Sequence, residues 1–246
     1  MTLPAWVARR LPLFPLHTAA DAGALRIGGC DLDALASAHG TPLYILDAAT
    51  LDDAAAQYRA ALAEHFAGEG AVTLAGKALL LGAVARWANA QGLWLDCTGA
   101  GELAVAAAAG FPLARTLVHG VNKSDEDLRA AVRQAAVIVV DNLSELRRLL
   151  PLLADSPANG PALWLRLRPG VAVETHAYRQ TGQSDSKFGM EPAELAEAVR
   201  RCLAAGITPQ GLHFHQGSHF HDVAPLGPAV EAARATRGDM PASSPT

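Results

Sequence analysis

Six short apolar runs, each followed by a stretch of helical spacing, leave this chain very few ways to fold. The runs lie at 71–75, 93–96, 115–119, 136–140, 162–168 and 211–215. Between them, 80–90, 101–109, 124–134, 143–153 and 192–204 carry apolar residues at three- and four-residue intervals. A strand followed by a helix that leads back to another strand is the repeating unit of a parallel sheet. Helix ends carry their own signals: Ser124 precedes three acids, Asn142 precedes Leu143, and Gly110 and Gly206 follow Ala-rich helices. Ahead of the first run, 43–46 is expected to be a strand and 50–66 a helix capped by Thr50 and Asp53.

This pattern divides the chain into an amino-terminal lead-in (1–40), a βα region (41–235) and a polar tail (236–246) without apolar period, expected to be disordered. The loop 169–190, rich in Gly, Ser and Thr, is long for a βα connection, which points to function or disorder. Two architectures accommodate six units: an open doubly wound sheet, or a TIM-type (β/α)8 barrel lacking its last two units. A dinucleotide-binding sheet wants GxGxxG at its first strand-to-helix turn, where this chain has only Gly76. The incomplete barrel is the expected fold.

Composition removes several functional classes. A net charge of -4, with no Lys/Arg cluster interleaved with aromatics, speaks against nucleic acid. Cys30, Cys97 and Cys202 lack CxxC or CxH spacing, so neither a disulfide framework nor a zinc site is indicated, and a cytoplasmic setting is expected. No signal-peptide core follows Arg9 and Arg10, and no apolar run could span a bilayer.

Polar residues collect where the apolar runs stop, on the face where parallel barrels do their chemistry. They are Lys77, Asp96, His119, Arg166 and His215. A single lysine at a strand end is usually just solvated; five polar ends converging on one rim argue for use. Lys77, between 72–75 and Ala78-Leu-Leu-Leu81, is expected to be partly desolvated, which would favour the neutral amine that forms a Schiff base with an aldehyde. In Gly211-Leu-His-Phe-His-Gln-Gly-Ser218, His213 and His215 share one strand face while Leu212 and Phe214 face away. Gly217 and Ser218 then offer donors to an anion, which suits a flat ring bearing a phosphate. The plain alternative is a buried strand with hydrogen-bonded core histidines.

These segments resemble the fold-type III pyridoxal-phosphate decarboxylases, and within them the diaminopimelate branch. Leu74-Ala-Gly-Lys77 stands where that family has Tyr-Ala-x-Lys, and Leu95-Asp-Cys-Thr-Gly-Ala-Gly-Glu102 is similar to its Asp-x-x-Ser-x-Gly-Glu segment. His119-Gly-Val-Asn-Lys-Ser124, Leu165-Arg-Leu-Arg-Pro-Gly-Val171, Thr175-His-Ala-Tyr, Asp185-Ser-Lys-Phe-Gly189 and 211–218 follow in family order. The resemblance implies pyridoxal 5'-phosphate as cofactor, Lys77 as its covalent anchor and catalytic residue, and His215 stacked on its ring. Gly217 and Ser218 would meet the phosphate, and Arg166 and Asp96 would lie near the ring, Asp96 alternatively only orienting Lys77. It implies an amino-acid substrate, meso-diaminopimelate giving L-lysine and CO2 in the favoured case, and a homodimer in the full-length family.

The chain departs from the family in lacking its Gly-Gly-Gly and Glu-Pro-Gly-Arg segments and its carboxy-terminal β-domain; Leu74 replaces a tyrosine and Leu79 a common asparagine. The expectation is a truncated form with reduced or no activity alone. Three rival readings stand beside it: a metal-dependent barrel hydrolase using His213, His215, His219 and His221, a binding protein or racemase of the same cofactor class, and a non-catalytic cofactor-binding fragment.

Overall fold

A computed structural model describes residues 13–21, 23–154, 160–170, 188–217 and 223–238. The chain parts into two compact units, Met1–Val72 and Thr73–Thr246.

In the first unit, β1 (Thr18–Asp21), β2 (Ala24–Ile27) and β3 (Cys30–Asp31) form an antiparallel sheet in that order. Helix α1 (Leu32–His39) follows at once, its first turn capped by the Asp31 carboxylate. The sequence pattern missed this sheet because its strands are short and its turns rest on Gly23, Gly28 and Gly29 at positive φ. The strand expected at 43–46 does not form: Tyr44 is 95% exposed, and no neighbouring strand pairs with this run. Helix α2 (Ala48–His65) begins two residues earlier than expected, and its N-cap is Asp47 rather than Thr50 or Asp53.

The second unit is the expected incomplete barrel. Six parallel strands run in chain order: β4 (Thr73–Ala75), β5 (Trp94–Cys97), β6 (Thr116–Val118), β7 (Val137–Val140), β8 (Ala162–Arg166) and β9 (Gly211–His213). The intervening helices are α3 (Gly82–Ala90), α4 (Ala100–Ala108), α5 (Asp125–Gln134), α6 (Leu143–Ala154) and α7 (Pro192–Ala204). All fall within about two residues of the positions that periodicity assigns. Helix α8 (Leu226–Gly238) was not expected, and it carries ordered structure through three residues assigned to the tail. Among the described residues no helix is long and apolar enough to cross a membrane.

Register divides the sheet into two faces. On one, Leu95, Cys97, Val118, Ile138, Val140, Leu163 and Leu165 are buried, forming the layer between sheet and helices. The other carries Trp94, Leu117, Val137, Val139 and Trp164, packed as a second apolar cluster. Asp96 pairs with Leu117, and Arg166 pairs with His213, so these three polar side chains share this second face. It is the interior of the barrel segment.

Two caps fix how the helices enter. Ser124 and Asp127 form a reciprocal capping box on α5, and Asp127 also accepts a hydrogen bond from Ala100 N at 2.8 Å, tying the start of α4 to α5. The approach of these loops leaves no room at Gly120, where a Cβ would lie 2.0 Å from the Thr98 carbonyl oxygen. A Cβ at Gly101, inside α4, meets nothing within 4 Å. Gly101→Ala should therefore stabilise the chain by about 0.5–1 kcal/mol through helix propensity. Gly120→Ala should cost about 1–3 kcal/mol or more, because backbone must move. Urea unfolding of the two variants beside the parent chain checks both signs.

Candidate active site

The site builds from the carboxyl ends of the strands. Strand β4 stops at Ala75 and passes into a tight 3-10 turn, Gly76–Ala78, with Lys77 at its centre. Gly76 is required for close approach: a Cβ there would lie 2.8 Å from the Asp96 carbonyl oxygen and 2.9 Å from Glu102 Oε2. Glu102 is itself held by the Thr98 N–H at 2.8 Å. The lysine turn is thus seated directly against the end of β5 and the start of α4. The Lys77 side chain is exposed, so the expected desolvation of its amine is not found. The apolar neighbours that suggested burial, Leu79 and Leu81, are 40% and 51% exposed themselves.

Asp96 projects from β5 into the interior, with one carboxylate oxygen 3.3 Å from His119 Nδ1 and the other buried without a hydrogen-bond partner. The His119 ring in turn lies 4.1 Å from that of His213, tilted by 47°. Asp96 therefore engages His119, at the end of β6, rather than an amine; no hydrogen bond joins it to Lys77 among the described residues. His213 closes β9, and His215 lies two residues beyond the strand end, not within the strand as the apolar run suggested. Both imidazoles are half-buried.

Burial pushes the His213 pKa down to about 2, helped by His119, Arg166, His215 and Lys123. His215 is lowered to about 4, by burial first and then by Lys77, Arg166 and His119, against an opposing pull from Asp96. Lys77 follows β4 and His215 follows β9 in one parallel sheet, which places the expected anchor and the expected ring-stacking residue at the same end of it. Both histidines are neutral at pH 7.

Arg166, at the end of β8, is 4% exposed and donates from Nη1 to Asp141 Oδ1 at 2.7 Å. Its guanidinium also lies 5.0 Å from the centre of the Phe188 ring. Gly217 has φ of 136°, a backbone state suited to glycine, directly after buried Gln216. Ser218, His219 and His221 lie outside the described residues, as does most of the loop 169–190. Among the described residues no group of three His, Cys, Asp or Glu side chains is arranged to hold a metal. Cys97 is no nucleophile, since burial, with Glu102 and Asp96, raises its thiol to about 12.

Sequence reasoning overlooked three side chains of this region. Asp141 directly follows β7, and the strand-end rule that picked out the other polar residues applies to it equally. Lys123 and Glu145 form an ion pair of 2.7 Å with both side chains almost wholly buried. Lys123 sits in the segment beginning at His119, whereas Glu145 reads as an ordinary first-turn acid of α6.

The donor set suits a planar, anionic ligand: an amine, neutral imidazoles, a buried guanidinium and a glycine turn, with orphaned polar atoms on Asp96 and His213 facing the interior. Comparison with known proteins agrees. The family model for the pyridoxal-binding domain of pyridoxal-dependent decarboxylases matches residues 50–240. Diaminopimelate decarboxylase of Synechocystis sp. is 41% identical over 213 residues, 82% of this chain and 45% of that protein. Its counterpart in Bacillus subtilis is 40% identical over 214 residues, 85% of this chain and 48% of the relative. The chain spans about half the length of the curated relatives it matches. Among solved structures, diaminopimelate decarboxylase from M. jannaschii superposes with a TM-score of 0.78 at 24% identity, over 89% of this chain and 52% of that one. The Helicobacter pylori enzyme complexed with L-lysine gives 0.73 at 25% identity, over 85% and 52%.

The depressed histidine pKa values carry a stability consequence. In the unfolded chain an imidazole takes up its proton near pH 6.5, whereas folded His213 and His215 resist until about 2 and 4. The unfolded state binds more protons between those limits, so stability is full above pH 6.5 and falls as pH is lowered through that window. His213→Leu should flatten this acid limb, as read from urea midpoints measured between pH 7 and pH 4.

Proposed function

The chain belongs to the pyridoxal-dependent decarboxylases, and from that we propose that its strand-end site takes pyridoxal 5'-phosphate and serves decarboxylation of an amino acid. The observation that carries this reading is that Lys77 and His215 both follow the carboxyl ends of parallel strands, with Arg166, Asp96 and His213 on the interior face of the same sheet. Lys77 anchors the cofactor through its amine, and the exposed turn that bears it leaves the amine free to reach a ligand. His215, held neutral by burial and by the nearby cations, lays an uncharged ring against the cofactor and screens one side of it. Gly217 lets backbone N–H groups approach a phosphate, and Ser218, next in sequence, is the proposed hydroxyl donor.

Arg166 contributes a fixed positive charge to the pocket, and Asp96 holds His119 against His213. When bound, the cofactor supplies an electron sink for the pair released as the substrate carboxylate departs as CO2. A proton then returns to the same carbon. The substrate proposed is meso-diaminopimelate, with L-lysine as product, because the relatives above carry that activity in their names. A homodimer in the cytoplasm is the proposed working form.

The test is direct. Adding pyridoxal phosphate to the purified chain should raise a visible absorption band, and borohydride reduction should leave the cofactor's mass on the peptide containing Lys77. Lys77→Ala should abolish both, and His215→Ala should weaken cofactor affinity by about tenfold, as expected for loss of a ring contact worth 1–2 kcal/mol. Retention of the band in Lys77→Ala would overturn the anchor assignment. Release of CO2 from diaminopimelate, compared with ornithine and lysine, reads the substrate separately from cofactor capture.

A further inference from the structure

Beneath the site lies a chain of four buried charges. Lys123 Nζ donates to Glu145 Oε1 at 2.7 Å and to the Val139 carbonyl at 2.8 Å, and both side chains are essentially excluded from solvent. Glu145 Oε1 also accepts from the Asp141 N–H at 3.3 Å, and the Glu145 N–H donates to Asn142 Oδ1 at 2.9 Å. Asp141, 3% exposed, then accepts from Arg166. These residues come from the loop before α5, the end of β7, the first turn of α6 and the end of β8. Burying four charges in this way is costly, and a buried ion pair is weak evidence for stability.

What the arrangement does supply is position. The backbone of Asp141 is held by Glu145, which is held by Lys123, and the Asp141 carboxylate then accepts from the Arg166 guanidinium at Oδ1 and from Asn142 Nδ2 at Oδ2, the latter at 3.4 Å. Arg166 is the register partner of His213, and the Leu167 N–H donates to the His213 carbonyl at 2.7 Å, so this guanidinium lies one strand away from the strand-end histidines. The Phe188 ring lies 5.0 Å from it, and Gly189 sits close to the stem of the Arg166 side chain.

We propose that Asp141, seated on the Lys123–Glu145 pair, is a positioning residue that locks the Arg166 guanidinium beside His213 and His215. The lock fixes where the positive charge of the pocket sits. It serves the cofactor site proposed above, but it can be read without cofactor, so failure of the chain to take pyridoxal phosphate would leave the result standing. The readout is the titration midpoint of His215, on which Lys77, Arg166, His119 and Asp96 act, with His213 coupled to it two residues away.

Histidine-selective NMR titration of the whole chain, with circular dichroism to confirm folding, follows that midpoint in a double-mutant cycle. Arg166→Met removes the charge and should raise the His215 midpoint by about half to one pH unit. Asp141→Asn leaves Arg166 without its anchor, and the guanidinium should turn away, raising the midpoint by a similar amount. The double variant should shift it no further than either single change. A midpoint unmoved or lowered in Asp141→Asn, or effects that add in the double variant, would overturn the lock. If Asp141→Asn does not fold, Asp141→Glu takes its place: it keeps the charge but lengthens the arm, and a smaller rise is expected, its absence counting against the proposal.

Discussion

A guanidinium inside a parallel sheet has to meet a carboxylate, and the Arg166–Asp141 contact fixes much else in this structure. Arg166 faces the interior because Trp164, two residues earlier, packs in the inner apolar cluster, and side chains two apart share a face. Moving the register of β8 by one residue would send Arg166 into the layer of Leu163 and Leu165 beneath the helices, where no partner waits. The ion pair and the apolar pattern therefore enforce the same register. Asp141 can answer only because β7, wholly buried, ends one residue before it.

The same accounting extends along the rim. Lys123 is matched by Glu145, Arg166 by Asp141, and His119 by Asp96. Lys77 has no carboxylate within ion-pair distance among the described residues, so its charge is left to act on the pocket. At His215 that charge adds to burial in holding the pKa down. Burial opposes protonation of the imidazole first, and the nearby cations add to it, while Asp96, the one carboxylate acting against them at His215, is already engaged with His119.

Most of the barrel segment could be read from the chain because burial on both faces imposes continuous apolar runs, and helix caps such as Ser124 are local in sequence. The antiparallel sheet of β1 to β3 could not, since strands of two to four residues give no usable period. The run at 43–46 misled for the opposite reason: four apolar-looking residues imply a strand only when a neighbour offers a ladder. Within the site, Lys77, Asp96, Arg166 and His215 were legible as polar residues at the ends of apolar runs. Their surroundings were not. Lys77 sits on an exposed turn despite its apolar sequence neighbours, and the pairing of Asp96 with His119 depends on β5 and β6 being adjacent in space.

Lys77 sits on an exposed turn, so the physical lever this pocket offers a ligand is charge. Lys77 and Arg166 both bear on His215, and what they do to the imidazole they also do to any anion that enters: they disfavour a new positive charge there and favour a negative one. A neutral ring beside two cations is a poor place for a third and a good place for a phosphate or a carboxylate. The arrangement that keeps His215 uncharged is therefore the same one that would favour an anionic group in the pocket. Asp141 governs both effects by deciding where one of the two cations stands.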